Sequence, residues 1–358
     1  MAAAQQPRQD SSVALVMVHG PKELATLLYE LDLQHIFSGQ PSDDDEFPPV
    51  LSFPKPVVRF RLLCRGEVMA IASSGNLVVT ATTQGRTLIC NRGNTDASAG
   101  PDQLFTKLFQ ALAPAGDDMF LSMPLCPQAE IDSDPDRTGE QDPCFELLLR
   151  LPNGPWAWHL IPDPPGLSGK PDITGFFADA AGAHVWVSFK DQGTFSFDAA
   201  RRRWRMEGAW ELPLAGRLIL VSDGILGGRK LLFGKLRGCE DEYDRLAACD
   251  MDARPPAIIK CGSLDEICPS TRPRAWPRGY LKLYNRTELA YLGGGRLCIT
   301  MLIENNHHRC SGWSEERPNP HLLTITAVDV KVTPELQLIK HKFSCYSMPQ
   351  DSRAAWAL

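Results

Sequence analysis

No CxxC pair occurs anywhere in the chain, although it holds 11 cysteines. That absence excludes the paired-thiol spacing of zinc fingers and of thioredoxin-like redox sites. The cysteines are odd in number and scattered, so they read as reduced, mostly buried thiols of a protein working in cytosol or nucleus. Long hydrophobic runs are lacking too. The apolar stretch Val13 to Val18 is too short for a membrane span or the apolar core of a secretory signal, and Met1-Ala2-Ala3-Ala4-Gln5-Gln6-Pro7-Arg8 is polar. The expectation is therefore a protein with no membrane partner, in which the sequon Asn285-Arg286-Thr287 carries no glycan. Positive charge is not in excess either. Against 43 Asp and Glu stand 37 Lys and Arg, a formal charge of −6. Phosphate binding needs a concentrated positive face, so this balance argues against nucleic acid as a main partner.

Catalytic signatures are equally scarce. There is no Gly-x-Ser-x-Gly elbow, and no cysteine stands in a local catalytic signature. Gly224, Gly227, Gly228 and Gly234 near Lys230 and Lys235 make no phosphate cradle, because Gly234-Lys235 is followed by Leu236 rather than Ser or Thr. They read as turns between strands. Asp132-x-Asp134-x-Asp136 echoes a calcium loop, but Arg137 and Pro143 stand where that loop needs Gly and Glu. His307-His308-x-Cys310 with Glu304 is the best metal-like cluster. Adjacent histidines on a strand point to opposite faces, and no second pair stands at finger spacing, so a polar loop between strands is the better reading. Neither a metal nor another cofactor is expected.

What the chain does contain is a dense series of strands. From Ala183 to Asp198 it reads strand, tight turn, strand: Val185, Val187 and Phe189 share one face, Trp186 and Ser188 the other. Asp191-Gln192-Gly193 makes the turn, and Phe195 and Phe197 continue the alternation. Further strands are expected over 68–71, 77–82, 87–91, 119–123, 145–151, 156–161, 217–221, 230–236, 246–251, 297–304, 322–332 and 336–343. Leu24, Leu27, Leu28 and Leu31 recur at helical spacing, but no second helix follows, and Thr26 to Leu33 reads as the second strand of an N-terminal hairpin.

Two elements repeat. A glycine turn leads into a strand at Gly75-Asn76-Leu77, Gly182-Ala183-His184 and Gly295-Arg296-Leu297, and a tryptophan strand leaves through proline at Trp158 to Pro162 and Trp210 to Pro213. Repeats of about 40–50 residues with four strands each mark propeller blades. The length suits about six of them, closed by pairing strands from the two ends of the chain so that no sheet edge is left bare. Residues 11–348 would form this single domain, between tails at 1–10 and 349–358. The acidic loops 40–49 and 128–143 would be solvated insertions.

The ordered set Gly193-Thr194-Phe195-Ser196-Phe197-Asp198, Trp204, Gly208-Ala209-Trp210-Glu211-Leu212-Pro213, Leu246 to Met251, Trp276-Pro277 and Leu292 to Ile299 resembles a grass-expanded plant family of unknown function. Its members look like kelch-type or F-box-associated β-propellers, and the likeness runs from about residue 26 to 346. The resemblance implies an all-β, kelch-like β-propeller and no activity or site. Where relatives carry an acidic pair before the tryptophan, this chain has Arg272-Pro273-Arg274-Ala275-Trp276.

Residues 267–287 hold Arg272, Arg274, Arg278, Lys282 and Arg286 without an acid, interleaved with Trp276, Tyr280 and Tyr284. That composition suits an interface hot spot or a platform for single-stranded nucleic acid, and equally an inter-blade loop whose aromatics pack inward. The expected binding residues are Arg272, Arg274, Trp276, Arg278 and Tyr280, and the expected role is a non-catalytic module for a protein or peptide. The alternatives are an enzyme with a funnel site at the propeller axis, or single-stranded RNA binding through 267–287. Arg201, Arg202, Arg203 and Arg205 crowd a turn, where charge serves solubility more often than nuclear import.

Overall fold

Strands account for nearly all regular structure in the computed structural model, and they run up and down in antiparallel meanders. The structure describes residues 13–20, 25–38, 49–61, 68–93, 96–107, 110–125, 145–152, 154–168, 172–179, 182–222, 224–237, 245–264, 280–305, 321–332, 335–348 and 354–357.

β1 (Val13–Gly20) and β2 (Ala25–Asp32) form the N-terminal hairpin. After the short helix α1 (Gln34–Phe37) and β3 (Val50–Ser52), β4 (Val58–Arg61) returns to pair with β2. A second unit follows in simple order: β5 (Val68–Ser74), β6 (Leu77–Thr82), β7 (Thr87–Asn91) and β8 (Asp96–Ala99). The third comprises β9 (Gln110–Pro114), β10 (Met119–Pro124), β11 (Phe145–Arg150) and β12 (Trp156–Ile161). Unit 4 is β13 (Ile173–Ala178), β14 (His184–Phe189), β15 (Gly193–Asp198) and β16 (Arg203–Gly208). Unit 5 is β17 (Leu214–Val221), β18 (Leu231–Leu236), β19 (Arg245–Asp250) and β20 (Ala257–Ser263). The sixth holds β21 (Tyr280–Gly293), β22 (Arg296–Asn305), β23 (Leu322–Val332) and β24 (Leu336–Ser347). Finally β25 (Ala354–Ala357) adds to β1, completing a four-stranded unit 1 in the order β25-β1-β2-β4.

Units 4 and 5 merge into one eight-stranded sheet through a short parallel pairing of β13 with β17, Gly175 opposite Gly216 and Phe176 opposite Arg217. Glycine at 175 permits this approach, because a Cβ there would stand 2.7 Å from the Leu214 carbonyl oxygen.

Each unit buries both of its faces, which explains why the strands are apolar on both sides instead of half polar. Val185, Val187 and Phe189 pack with Phe145 and Leu147 of unit 3, while Trp186, on the opposite face, packs toward unit 5 with Phe177. The same holds all the way round. Leu28 and Val58 of unit 1 meet Ile71 and Val78 of unit 2, and Val79 and Ile89 meet Phe120 and Leu148 of unit 3. Phe233 and Leu246 of unit 5 meet Leu289 and Ile299 of unit 6, and Leu323 and Ile325 of unit 6 return to Tyr29 and Leu31 of unit 1. The sixth unit thus touches the first.

A second clasp reinforces that last contact. Between β2 and β4 the chain crosses to unit 6, where β3 pairs in parallel with Cys345–Ser347 at the outer edge of β24. Phe53 sits between Tyr29 and Tyr346, with ring centroids 4.5 and 5.2 Å away, and His35 Nε2 lies 3.0 Å from Ser344 Oγ.

Several expectations hold in detail. Thr26 to Asp32 falls on β2, with Leu33 capping α1 beyond it, and the three glycine turns occupy one equivalent place, between the first and second strands of units 2, 4 and 6. Gly193 has φ +92°, as the hairpin after Asp191 requires. Others need correction. Residues 349–358 are not simply a tail, since Ala354–Ala357 is β25 and finds hydrogen-bonding partners on β1. Gly234 is no turn glycine: it lies inside β18, where Leu218 packs against it. Residues 1–10 and the acidic loop 128–143 fall outside the described residues, as does the loop 40–49 except for Pro49.

Candidate functional site

Four first strands, β9, β13, β17 and β21, bring their C-terminal ends together around a cavity of about 320 Å³. Pro114, Ala178, Leu220 and Tyr291 mark those ends, and most of the wall is apolar, with Phe176, Phe177 and Leu218 among the contributors. Arg217 is the cation of this wall. It belongs to an ionic cluster across the boundary of units 5 and 6: Glu288 of β21 is attracted by both Arg217 and Lys235 of β18. Burial lowers the pKa of Arg217 and of Lys235, Glu288 acting against it in each case. Burial likewise pushes the Glu288 carboxyl up, against the pull of the two cations. All three residues are half-buried, and Arg217 lines the cavity itself.

Two further clefts open beside the axial cavity, formed by turns at the same ends of the strands. Between units 3 and 4, a broad cleft of about 900 Å³ is bounded by the turns at Asp117–Asp118, Leu151–Gly154 and Ala199–Arg202. Between units 4 and 5, a smaller one of about 170 Å³ shares Phe177, Asp179 and Leu220 with the axial cavity, so the two are continuous. Its floor is apolar, with Trp186 stacked on Phe177 at 5.6 Å and 15° and Met251 beside them. Its rim carries His184, Arg205, Lys230 and Arg254, together with Asp179 and Asp252.

Local hydrogen bonds hold this rim in shape. The Asp179 carboxylate accepts from the Ala183 amide at 2.7 Å and lies 3.1 Å from His184 Nδ1, closing the turn between β13 and β14. Glu207 accepts from Arg205 Nε at 2.8 Å and Nη2 at 2.5 Å. Arg254 donates through Nη1 to the Met251 carbonyl and, at 2.9 Å, to that of Ala253. Nearby, Arg201 holds the Asp198 carboxyl below its usual range through a side-chain hydrogen bond. Ser196, which also lines the cleft, donates its hydroxyl to the same Glu207 oxygen at 2.5 Å. The buried Cys249 and Cys345 thiols are pushed up to about 12 by burial and supply no thiolate at neutral pH.

Of the expected binding residues, Tyr280 alone is among the described ones. Arg272, Arg274, Trp276 and Arg278 fall outside the described residues, and Tyr280 opens β21 opposite Asn305, at the far end of that strand from the cavity. His307, His308 and Cys310 also fall outside them, as does Asp132-x-Asp134-x-Asp136. Among the described residues no three His, Cys, Asp or Glu side chains are grouped to hold a metal ion, and no helix is long and apolar enough to cross a membrane. The clefts themselves had no signal in the sequence, since their rims combine single residues from separate turns of different units.

No curated protein matches the chain. Among solved structures it is similar to the β-propeller domain of Cps50 (Swd1) from Myceliophteria thermophila, with 10% identity and a TM-score of 0.43 over 94% of this chain and 88% of that one. It is also similar to a protein from Lactobacillus plantarum, with 11% identity and a TM-score of 0.43 over 97% of this chain and 99% of that one. The sequence match is of another kind, because residues 10–346 fit one family along nearly their whole length. The chain belongs to the family described as protein of unknown function, DUF1668.

Proposed function

We propose that the chain is a kelch-like β-propeller of six four-stranded blades, working in the cytosol or nucleus as a non-catalytic module that docks a protein or peptide. The ring of six units, each packed on two neighbours and shut by β25 on β1, supports the architecture. One observation carries the function: the axial cavity and the clefts on either side of unit 4 open at the same strand ends, on one face of the protein. Affinity purification with mass spectrometry tests it. Partners retained by wild type and by Trp276→Ala, but lost by Asp117→Arg/Arg202→Glu, are the expected result. The reverse pattern moves binding to the basic-aromatic segment 267–287, and no partner above background in any sample overturns the module altogether.

A second function, an enzyme with its site at the axis, has one observation in its favour: the cluster of Arg217, Lys235 and Glu288 beside the axial cavity, with its displaced ionisation. Depletion of a metabolite from a cell extract by wild type and not by Glu288→Gln would establish it.

A further inference from the structure

We infer that the cleft between units 4 and 5 takes an acidic peptide segment, with a carboxylate side chain seated among Arg205, Lys230 and Arg254 and a neighbouring hydrophobic residue laid on Trp186. This rests on the docking face proposed above and specifies what that face recognises. The rim has more donors than acceptors. Its two carboxylates are engaged locally: Asp179 with the Ala183 amide and His184, Asp252 with the Lys230 amide at 3.3 Å. The cations keep capacity. Among the described residues Arg254 bonds through Nη1, to main-chain carbonyls, and Arg205 bonds Glu207 through Nε and Nη2, so there each guanidinium has N–H groups left. Among the described residues no side-chain partner is recorded for the Lys230 ammonium, which stands exposed at the mouth of the cleft. An incoming carboxylate supplies the acceptor that this arrangement lacks, and a guanidinium can hold it through two parallel bonds.

Size and floor narrow the choice further. A volume of about 170 Å³ suits a side chain or two of an extended segment rather than a folded element. Beneath the charged rim, the stacked Trp186 and Phe177 with Leu220 and Met251 give an apolar surface. A rim of charge over an aromatic floor matches a peptide in which acidic and hydrophobic residues alternate. A nucleic-acid backbone requires a longer stripe of cations than this one rim, on a protein of formal charge −6.

The test uses the full chain and fluorescence anisotropy. The probe is a labelled peptide of about ten residues alternating Glu and Leu, extended enough to lay side chains into pockets. Its Gln–Leu counterpart is the control, expected to bind at least about tenfold more weakly because charge-assisted bonds are lost. The variant Lys230→Glu/Arg254→Glu should lose the Glu–Leu peptide by more than about tenfold, since like charges then face each other. Lys55→Glu, exposed on another part of the surface, should bind as wild type does. Both variants should melt with wild type, so that lost binding is not lost folding. Equal binding of the two peptides, indifference to the charge reversal, or displacement by single-stranded RNA at lower concentration than by unlabelled peptide would each overturn the inference. If the full chain captures partners through this face yet ignores the Glu–Leu peptide, the acidic specificity falls and the docking face stands. If partners and peptide are both absent, the docking face falls with it.

Discussion

Trp204 offers a direct test of how neighbouring units are held together. It stands on β16 of unit 4, and its indole N–H donates to the Pro162 carbonyl just beyond β12 of unit 3, at 2.7 Å. Its ring lies 5.1 Å from Phe145 of unit 3, edge-on, and 4.9 Å from Phe197 of its own unit. Full removal of a buried aromatic costs about 3–5 kcal/mol. The indole is only partly buried, which lowers that figure, but one hydrogen bond worth about 1 kcal/mol and two ring contacts of about 0.5–1.5 kcal/mol each go with it. Trp204→Ala should therefore cost about 3 kcal/mol. With about 2.1 cal/mol/K of unfolding entropy per residue, 358 residues give about 0.75 kcal/mol/K, and Tm should fall by about 4 °C. Trp204→Phe keeps the ring contacts and loses the hydrogen bond, so its loss should be nearer about 1 °C. Differential scanning calorimetry of the three proteins decides the matter. A Trp204→Ala protein that melts with wild type would mean that the rest of the core, Phe145 and Phe189 included, joins units 3 and 4 without this indole.

Three further outcomes can be checked by unfolding measurements. Lys107 and Glu146 form a buried ion pair, with Glu146 also accepting from the Leu104 amide at 2.6 Å; Glu146→Ala strands a buried ammonium and should cost about 3–5 kcal/mol, whereas Lys107→Met/Glu146→Leu should cost far less. A double-mutant cycle in chemical denaturation measures the difference, and equal losses would refute the pairing. In acid, Asp198, Asp250 and Glu211 share one sign. Arg201 holds Asp198 low and Arg229 holds Asp250 low, while burial pushes Glu211 up but is more than offset by Arg237 and the Asp191 amide. Their contribution is present above the unfolded carboxylate range of about 4 and is lost as pH falls through the lower folded values, so Tm should drop there, and less steeply in Arg237→Met. Glu288 has the opposite sign: its raised pKa makes ionisation costly as pH climbs from the ordinary glutamate range through the folded value. Glu288→Gln should accordingly gain on wild type as pH rises through that window.

The middle of each unit was legible in the sequence because its chemistry is periodic. Val185, Val187 and Phe189 alternate with Trp186 and Ser188, and each face meets a different neighbour, as strand geometry demands. First and last strands were harder. β9 is built on Ala111 and Ala113, small residues that suit its position at the crowded axis but give little hydrophobic contrast. β13 is interrupted by Gly175, needed for the approach to β17. Ile258 and Ile259 of β20 are both exposed, so no alternation between core and solvent marks that outer strand. The clefts were illegible for a different reason. Asp179, Lys230 and Arg254 come from three separate turns and Arg205 from β16, and they acquire a common role only when units 4 and 5 stand side by side.

The pairing of Val16 with Ala357 has a consequence in time. A chain is made from its N-terminus, so β1 emerges long before β25, the strand that covers its edge. During all the intervening elongation the edge of β1 presents unpaired main-chain groups, the feature through which nascent chains most readily join one another. β25 then joins β1 in one late step between residues far apart in sequence, the kind of long-range contact that slows folding. A deletion of Ala354–Ala357 would leave most of the packing intact, yet it would make that exposure permanent.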